Sequence, residues 1–438
     1  MQIIPYLLSL CAGTLIVKKF LKDTALPFSL FLGLSLLSGI SISIFICFFS
    51  FVFFNTFNLL FTLMSHGLII GLLVPKTLKT SGLPEKTYFL SELVPALLIL
   101  LITGTISFIF AKNHPDGGWD AWQVWNFKAK FLLLSGSRWK ELFAPELWRS
   151  SPHYPLAIPL WNVWTWSFSK DTPWFIPFWN SILSCSLTSL FIFGFLQRKR
   201  MQALLSWIPA LFLFTIPFFM TLAVSQYADI FLGLYLLAAL GSLYLAFTSL
   251  NVFLIFSGIF TGILSFIKPE GTILAGLTFT VAMTFIFKNK DWKEKAFLFL
   301  PAALIAGLPS ILFQLFLSPG NQTFINGLAS SSNPSTLLRL KIILGFFIIE
   351  ITRLKWGFLW FLLLAAALLN FKKVFKEYVF VLPVIAYMLI VIFYYWVNTY
   401  FEIEWWLAVS LNRILMALAP ALILWISLSV IPKKSSSL

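Results

Sequence analysis

Charged residues are scarce in this sequence. Only 11% of its 438 residues are charged and 59% are apolar by a broad count, whereas a soluble domain has about 25% charged and about 45–50% apolar residues. The mean hydropathy is +0.91. This composition excludes a water-soluble enzyme, a disordered chain and a fibrous repeat.

Cysteine and histidine are also rare, with three residues of each type. Cys11, Cys47 and Cys185 lie in apolar runs, and their spacing fits neither a metal site nor a disulfide framework. We therefore expect them to act as small apolar residues. The motifs of P-loop nucleotide binding, zinc proteases and serine hydrolases are absent from the sequence. Nothing in it supports an ATP-driven or zinc-dependent reaction.

Long apolar runs occur throughout the chain. A membrane-spanning helix needs about 20 mainly apolar residues, within a range of about 17–25. The sequence therefore predicts an all-α polytopic membrane protein with about thirteen transmembrane helices. The predicted spans are 2–17, 27–54, 57–74, 91–111, 173–196, 203–222, 228–249, 251–267, 272–287, 296–317, 355–371, 378–397 and 411–431. The first has neither the basic start nor the cleavage site of a signal peptide.

The charge of the loops predicts the orientation of these spans. Loops on one side hold 18 of the 31 basic residues, namely loops 18–26, 75–90, 197–202, 288–295, 372–377 and 432–438. Loops rich in Lys and Arg face the cytoplasm. We therefore expect the N-terminus outside and the 432–438 tail in the cytoplasm of a bacterial inner-membrane protein. The net charge of +15 then needs no nucleic-acid partner.

The long polar loops, 112–172 and 318–354, are predicted to face outwards. The pattern from Trp119 to Leu134 is helical, with aromatic residues that suit the membrane interface. Segment 155–168 is too short for a span and rich in Trp, so it predicts a helix or re-entrant piece at the outer surface. The amphipathic stretch 337–352 is placed beside the same face.

Two acids in the first outer loop have both local and catalytic interpretations. Asp116 lies in a Pro-Asp-Gly-Gly sequence and suits a turn. Asp120 stands three residues before Gln123, which is the spacing of a capping box. Either carboxylate could instead act as the general base that takes a proton from a hydroxyl group. A base is needed because a sugar or lipid hydroxyl is a weak nucleophile.

Further charged residues lie at the predicted outer ends of later spans. Asp229 follows Tyr227 and opens a span, so it is either a helix cap or an acceptor ligand. Lys268 and Glu270 share a tight turn between apolar helices. An ionisable residue so near the hydrocarbon is a functional candidate, although this pair could also reach the interface together.

Arg413 and His153 are the remaining candidates. Arg413 begins the final predicted span, where its guanidinium could hold a phosphate or simply extend to the interface. His153 closes the first outer loop within Pro-His-Tyr-Pro. It suits a phosphate contact or a structural hydrogen bond equally well.

Together these positions resemble a known family. An acid in the first large outer loop, a second acid at a later helix start, a Lys-x-Glu-Gly turn and a late Arg are similar to the type-C integral-membrane glycosyltransferases. The sequences GWDAW (118–122), KAK (128–130) and HYPL (153–156) resemble a bacterial branch of that family. The resemblance covers 91–431, which leaves the spans of 1–90 as an N-terminal addition.

The resemblance implies a function and a role for each residue. The substrates would be a polyprenyl-phosphate-linked sugar and a glycan, lipid or protein acceptor outside the membrane. Asp120 would be the base, with Asp116 as the competing candidate, and Asp229 would position the acceptor or a metal ion. Tyr227 and Trp122 are expected beside that acceptor. Lys268, Arg413 and His153 would hold the donor phosphate, and Glu270 would bind the sugar or Lys268.

Several points stay open at this stage. No cofactor is certain, and a divalent cation such as Mg²⁺ or Mn²⁺ is an alternative that the oxygen ligands allow. A secondary transporter or flippase would have internal repeats and charges near the bilayer midplane, which the sequence does not display. An O-antigen polymerase or ligase would depend on outer Arg and His residues more than on acids.

Overall fold

A computed structural model describes residues 2–22, 24–77, 86–111, 114–329 and 336–431. The predicted cytoplasmic tail, 432–438, lies outside the described residues, as do parts of loops 75–90 and 318–354. Helix accounts for 82% of the structure, and the described residues contain no strand. The prediction of an all-α protein is therefore confirmed.

The described chain forms twenty α-helices. They are α1 (Ile4–Phe20), α2 (Phe28–Phe54), α3 (Leu59–Thr77), α4 (Lys86–Ala111), α5 (Asn126–Leu134), α6 (Ala157–Trp166), α7 (Phe175–Arg198), α8 (Ala203–Phe212), α9 (Pro217–Val224), α10 (Ala228–Thr248), α11 (Phe253–Leu264), α12 (Pro269–Phe287), α13 (Trp292–Phe316), α14 (Gln322–Ala329), α15 (Leu337–Thr352), α16 (Leu359–Leu369), α17 (Phe371–Lys376), α18 (Tyr378–Val397), α19 (Ile403–Met416) and α20 (Ala419–Val430). Loop 112–172 adds a π-helix at Ala121–Trp125 and 3-10 helices at Gly136–Phe143 and Pro145–Ser150.

Six of these helices are long and apolar enough to cross a membrane alone, namely α2, α7, α10, α12, α13 and α18. Two bent pairs raise the number to eight among the described residues: α8 with α9, bent by 65°, and α19 with α20, bent by 47°. These helices are those of a multi-pass membrane protein. The count of thirteen spans stays a prediction, because several of the predicted spans are short or broken helices.

Proline explains the two breaks. Pro217 begins α9, and the preceding Ile216 adopts an extended conformation (φ −87°, ψ 103°). Proline disfavours the helical conformation of the residue before it, and it has no N–H to continue the helix. Pro420 stands in the first turn of α20, just after the bend that follows α19. Hydropathy does not register these breaks, because both sides of each are apolar.

Helix α10 forms the centre of the bundle. Every residue from Ala228 to Ala246 is buried, and α10 packs against α7, α11, α12 and α20. Its first turn carries Asp229, whose side chain has no exposed surface. The fold therefore places one carboxylate inside an apolar bundle.

The tryptophans of loop 112–172 differ in their exposure. Trp119 and Trp122 are exposed, but Trp125 is completely buried. Helix α6 was predicted to lie at the outer surface, yet Trp161, Trp164 and the rest of its aromatic residues are buried within the protein. The indole N–H of Trp164 donates to the Pro5 carbonyl of α1. The tryptophan-rich segment α6 is therefore packed and hydrogen-bonded by other parts of the protein, although its composition is typical of the membrane interface.

The charged residues of α15 also contact protein. Arg339 donates to the backbone carbonyls of Tyr395 and Asn398 at the end of α18. Glu350 is buried and pairs with Arg353 and Lys355. The amphipathic pattern of α15 therefore reflects contacts with neighbouring helices as well as any contact with a membrane surface.

The close contact between α1 and α2 predicts that adding one methyl group at Gly39 lowers the stability of the protein. A Cβ atom on Gly39 would lie 1.9 Å from the Ser9 carbonyl oxygen of α1, whereas one on Gly276 of α12 would meet nothing within 4 Å. Overpacking typically costs about 1–3 kcal/mol. We expect Gly39→Ala to lower the thermal unfolding midpoint in detergent and Gly276→Ala to leave it unchanged. Equal midpoints for the two variants would contradict this packing.

Candidate functional site

Five charged side chains from four separate parts of the chain form one continuous ion-pair cluster. Arg413 pairs with Asp120 through Nη2 and lies 3.3 Å from Asp229 Oδ2 through Nε. The other Asp229 oxygen lies 3.0 Å from Lys268 Nζ. Lys268 Nζ is also 3.2 Å from Glu270 Oε1. We call these five residues the ion-pair cluster.

Burial is graded across the ion-pair cluster. The side chains of Asp229 and Lys268 are 0% and 4% exposed, whereas those of Asp120 and Arg413 are 17% and 18% exposed. Glu270 is similar to the latter two, at 21%. The cluster therefore has a buried centre, which fixes its geometry, and a rim that a second molecule can reach.

Helix ends supply most of the cluster. Asp229 and Glu270 stand in the first turns of α10 and α12, where the helix dipole favours a negative charge. Lys268 is the extended residue just before α12, and Arg413 lies in the last turn of α19. Asp120 immediately precedes the π-helix of loop 112–172. All five were predicted site residues, and the structure brings them together.

The interpretation of Asp120 and Asp229 as helix-capping residues is wrong. Asp120 occupies the cap position of the π-helix, but its side chain makes no capping hydrogen bond. The cap position of α10 is Tyr227, so Asp229 is not the cap residue. Both carboxylates face Arg413 instead. Lys268 does pair with Glu270 as one alternative predicted, but its ammonium is buried rather than extended to the interface.

Two tyrosines form an aromatic wall beside the cluster. The Tyr227 ring lies 4.6 Å from the Arg413 guanidinium carbon, which is a cation–π contact. The Tyr154 ring stacks on Trp125 at 5.7 Å. Burial and the nearby Glu270 and Asp120 carboxylates raise the pKa of Tyr154, while burial and Asp120 raise the pKa of Tyr227. Both phenols therefore stay protonated at neutral pH and can donate hydrogen bonds.

Glu270 has an unused hydrogen-bonding atom. Its Oε1 binds Lys268, whereas its Oε2 is buried and has no hydrogen-bond partner among the described residues. A buried polar atom without a partner is uncommon in folded proteins. This oxygen is therefore available to a ligand hydroxyl.

Lys128 is a buried amine that sequence reasoning did not select. Its side chain has no exposed surface, and its Nζ donates to the carbonyls of Ser151 (2.7 Å) and Tyr154 (2.9 Å). Burial holds the Lys128 pKa well below its usual value. The contacts fasten the 151–154 turn, and thereby the Tyr154 ring, to α5. The KAK motif contained this residue, but no sequence signal indicated its burial.

His153 lies in the turn that Lys128 fastens and is not part of the ion-pair cluster. Its ring packs edge-on against Tyr154 at 4.8 Å. Burial and the neighbouring Lys128 lower the His153 pKa to about 4, so the imidazole is neutral at pH 7. A role as a cationic phosphate ligand stays a prediction, and at neutral pH only a hydrogen bond from the neutral ring is available to it.

Asp116 and Trp122 lie at the edge of the site. Asp116 is exposed, and among the described residues its carboxylate forms no part of the cluster. Its backbone carbonyl accepts a long hydrogen bond from Asn126 at 3.5 Å. Trp122 is 46% exposed and packs edge-to-face against Trp119 at 4.7 Å. The geometry therefore favours Asp120 over Asp116 as the carboxylate that acts with Arg413.

The described part of the chain contains no group of three or more His, Cys, Asp or Glu side chains arranged to hold a metal ion. The cluster carboxylates instead face Arg413 and Lys268, which occupy the positions that a cation would take. A divalent ion would have to displace these side chains from the carboxylates. Metal dependence accordingly stays an open prediction.

The burial gradient predicts different stabilities for two matched variants. Asp229→Asn leaves the buried Lys268 ammonium with Glu270 alone, and breaking a buried ion pair typically costs about 3–5 kcal/mol. Asp120→Asn removes a charge at the open rim, where solvent offsets much of the loss. We expect Asp229→Asn to lower the thermal unfolding midpoint in detergent far more than Asp120→Asn. The reverse order would contradict the described cluster.

The site thus offers carboxylates that can take a proton, cations that can bind an anion and phenols that can hold a polar ligand. No model of a known protein family, no curated protein and no solved structure matches this chain. The chemistry of these side chains is therefore the basis for assigning a function.

Proposed function

We propose that the protein is a membrane glycosyltransferase. It moves a sugar from a polyprenyl-phosphate donor to an acceptor hydroxyl on a glycan, lipid or protein at the extracytoplasmic face of the inner membrane. The observation that carries this proposal is the ion-pair cluster, in which an accessible carboxylate, Asp120, pairs with Arg413, and Asp229 links Arg413 to Lys268. The resemblance of the first outer loop to type-C glycosyltransferases supports the same assignment.

The multi-pass architecture suits a lipid-linked donor. Its polyprenyl tail stays in the bilayer, so its phosphate and sugar can only be met at the membrane surface. The proposed arrangement has thirteen spans. Residues 91–431 form a core similar to type-C glycosyltransferases, and the spans of residues 1–90 are an N-terminal addition to it. The charge of the loops favours a topology in which loop 112–172 and the cluster face outwards. In this topology the cluster lies where the donor head group emerges.

The reaction follows from the two types of charged group. The acceptor oxygen attacks the anomeric carbon, a new C–O bond forms, and the bond between that carbon and the phosphate oxygen breaks. The electron pair of the broken bond leaves with the polyprenyl phosphate, whose charge Arg413 and Lys268 stabilise. Asp120 accepts the proton of the acceptor hydroxyl. Attack opposite the leaving phosphate inverts the anomeric configuration.

The contacts of Arg413 couple donor binding to this base. In the structure Arg413 pairs with both Asp120 and Asp229. An incoming phosphate competes for the guanidinium. When Arg413 turns to the phosphate, Asp120 loses its partner and its carboxylate is free to face the acceptor hydroxyl. Asp229 keeps Lys268 as a partner during this exchange.

The remaining residues of the site bind the two substrates. Tyr227 lies over the Arg413 guanidinium. Tyr227 and the exposed Trp122 are proposed to contact the acceptor, which Asp229 helps to position through Arg413. Glu270 Oε2 has no partner among the described residues and is proposed to accept a hydrogen bond from a sugar hydroxyl. His153 would contact the phosphate through its neutral ring.

A transporter or flippase is the second candidate, and one observation favours it. Two helix pairs are sharply bent, and one of them, α19 with α20, carries Arg413. Discontinuous helices frequently line the binding sites of secondary transporters. A transporter moves the lipid-linked sugar across the bilayer without forming a glycosidic bond, so the two candidates give different products.

The base assignment predicts the effect of one isosteric substitution. Asp120→Asn keeps the shape of the side chain but cannot accept the proton, and general-base catalysis typically contributes about 10²–10⁴-fold. We expect sugar transfer to fall by about 100-fold or more. The assay would use proteoliposomes with a panel of polyprenyl-phosphate sugars and would detect the glycosylated acceptor by mass spectrometry.

Asp116→Asn is the matched control and should keep most of the transfer activity. Loss of transfer in Asp116→Asn with normal transfer in Asp120→Asn would show that the base is wrongly assigned. Movement of the donor across the bilayer without any new glycosidic bond would reject the glycosyltransferase in favour of the transporter.

A further inference from the structure

Three charged side chains outside the ion-pair cluster meet where α15 ends. Glu350 Oε1 lies 2.7 Å from Lys355 Nζ and accepts a hydrogen bond from the Trp356 indole N–H at 3.1 Å. The other oxygen, Glu350 Oε2, lies 3.2 Å from Arg353 Nη1. We call Glu350, Arg353 and Lys355 the Glu350 group. The proposed reaction does not use it.

Packing fixes the position of the Glu350 group. Lys355 Nζ lies 4.7 Å from the centre of the Phe218 ring of α9, and the Trp356 ring packs edge-on against the same ring at 6.0 Å. A Cβ atom on Gly357 would lie 3.0 Å from the Thr215 carbonyl oxygen. The turn between α15 and α16 therefore packs closely against the break between α8 and α9.

The Glu350 group has one more positive charge than negative charge. In the part of the chain that the structure describes, Glu350 is the one carboxylate that pairs with Arg353 or Lys355. Its side chain is 7% exposed, whereas that of Arg353 is 53% exposed. A guanidinium has five N–H donors, and the Arg353 side chain makes a single polar contact to the described residues. The group therefore presents an exposed cation with unused donors.

Exposed apolar side chains flank the Glu350 group on both sides in the sequence. Each is at least 54% exposed, and they are Ile348, Ile349, Leu354 and Phe358. In a multi-pass membrane protein, such exposed apolar side chains contact lipid. An ionised side chain beside lipid is costly unless an opposite charge accompanies it. The surplus positive charge therefore calls for a negative group from the membrane itself.

Charge and surroundings together indicate the ligand. Phosphate oxygens accept paired hydrogen bonds from a guanidinium, and hydrocarbon chains cover apolar side chains. An anionic phospholipid supplies both in one molecule. A free phosphate ion has no hydrocarbon, and a zwitterionic phospholipid has no net charge to offset the surplus. The anionic phospholipid is thus the ligand that fits both observations.

We propose that the Glu350 group binds the phosphate of an anionic phospholipid. Arg353 provides most of the contact through its unused N–H donors, Lys355 adds a second positive charge, and the acyl chains lie against the flanking apolar side chains. The bound lipid holds the turn between α15 and α16 at the bilayer. This site requires a membrane protein but not the proposed glycosyl transfer, so the two proposals can fail separately.

Native mass spectrometry of the full-length protein in detergent measures this binding. The protein would be mixed with equal amounts of phosphatidylglycerol, which is anionic, and phosphatidylcholine with the same acyl chains. We expect a preference for phosphatidylglycerol of about fivefold, which is the typical contribution of one cation near a membrane surface. Arg353→Gln removes the surplus charge and leaves the pair of Lys355 and Glu350. The preference should then disappear.

Lys341→Gln is the matched control. Lys341 is an exposed cation on the same helix but outside the Glu350 group, so this variant should keep the preference. Arg353→Lys keeps the charge and should also retain most of it.

Glu350→Gln gives a prediction of opposite sign. The variant keeps an oxygen for the Lys355 and Trp356 donors but removes the negative charge. Phosphatidylglycerol should therefore bind more tightly to Glu350→Gln than to the unaltered protein. A group that only stabilised the fold would not produce opposite changes in Arg353→Gln and Glu350→Gln.

Several results would overturn the inference. One is equal binding of the two phospholipids by the unaltered protein, and another is the same preference in Arg353→Gln as in Lys341→Gln. Displacement of phosphatidylglycerol by inorganic phosphate or by farnesyl phosphate at equal concentration would assign the site to a free anion or to the polyprenyl donor instead. A dimer that formed without lipid and was lost in Arg353→Gln would show that a second copy of the chain covers this surface.

Discussion

The site depends on the neutralisation of one buried carboxylate. Asp229 lies in the first turn of the most buried helix, and a lone charge there would be strongly unfavourable. Lys268 and Arg413, which are 39 and 184 residues away in sequence, supply the opposite charge. Because replacing a buried ion pair with apolar residues is often neutral or stabilising, this costly arrangement points to function rather than to stability.

The sequence identified the members of the ion-pair cluster but not their contacts. Asp120 and Asp229 stand at helix starts, where a local cap explains them as well as a catalytic role does. Only the fold brings Arg413, which is 293 residues from Asp120, between the two carboxylates. The hydrogen-bonded amides Asn126, Asn162 and Asn180 gave no signal in the sequence, since single polar residues in apolar or aromatic segments form no recognisable motif. Lys128 lies in the KAK motif, but nothing in the sequence indicated its burial.

The helices were largely predictable, and their environment was not. Periodicity and hydropathy located α2, α7, α10 and α18 to within a few residues, because long apolar helices leave a strong pattern. Composition placed α6 at an interface, whereas α6 is buried. Tryptophan suits both environments, since its large apolar ring and its N–H can be satisfied by lipid and water or by protein. Only the neighbouring helices, which sequence reasoning does not supply, decide between them.

The central claim is that Arg413 exchanges Asp120 for the phosphate of a polyprenyl donor. The most direct test is a pair of cryo-electron-microscopy maps of the full-length protein in lipid nanodiscs, one without ligand and one with farnesyl phosphate, a short polyprenyl phosphate. The account predicts phosphate density in contact with Arg413, with Lys268 still paired to Asp229, and an Asp120 carboxylate separated from Arg413 in the second map alone. Phosphate density elsewhere, with Arg413 still paired to Asp120 in both maps, would contradict it.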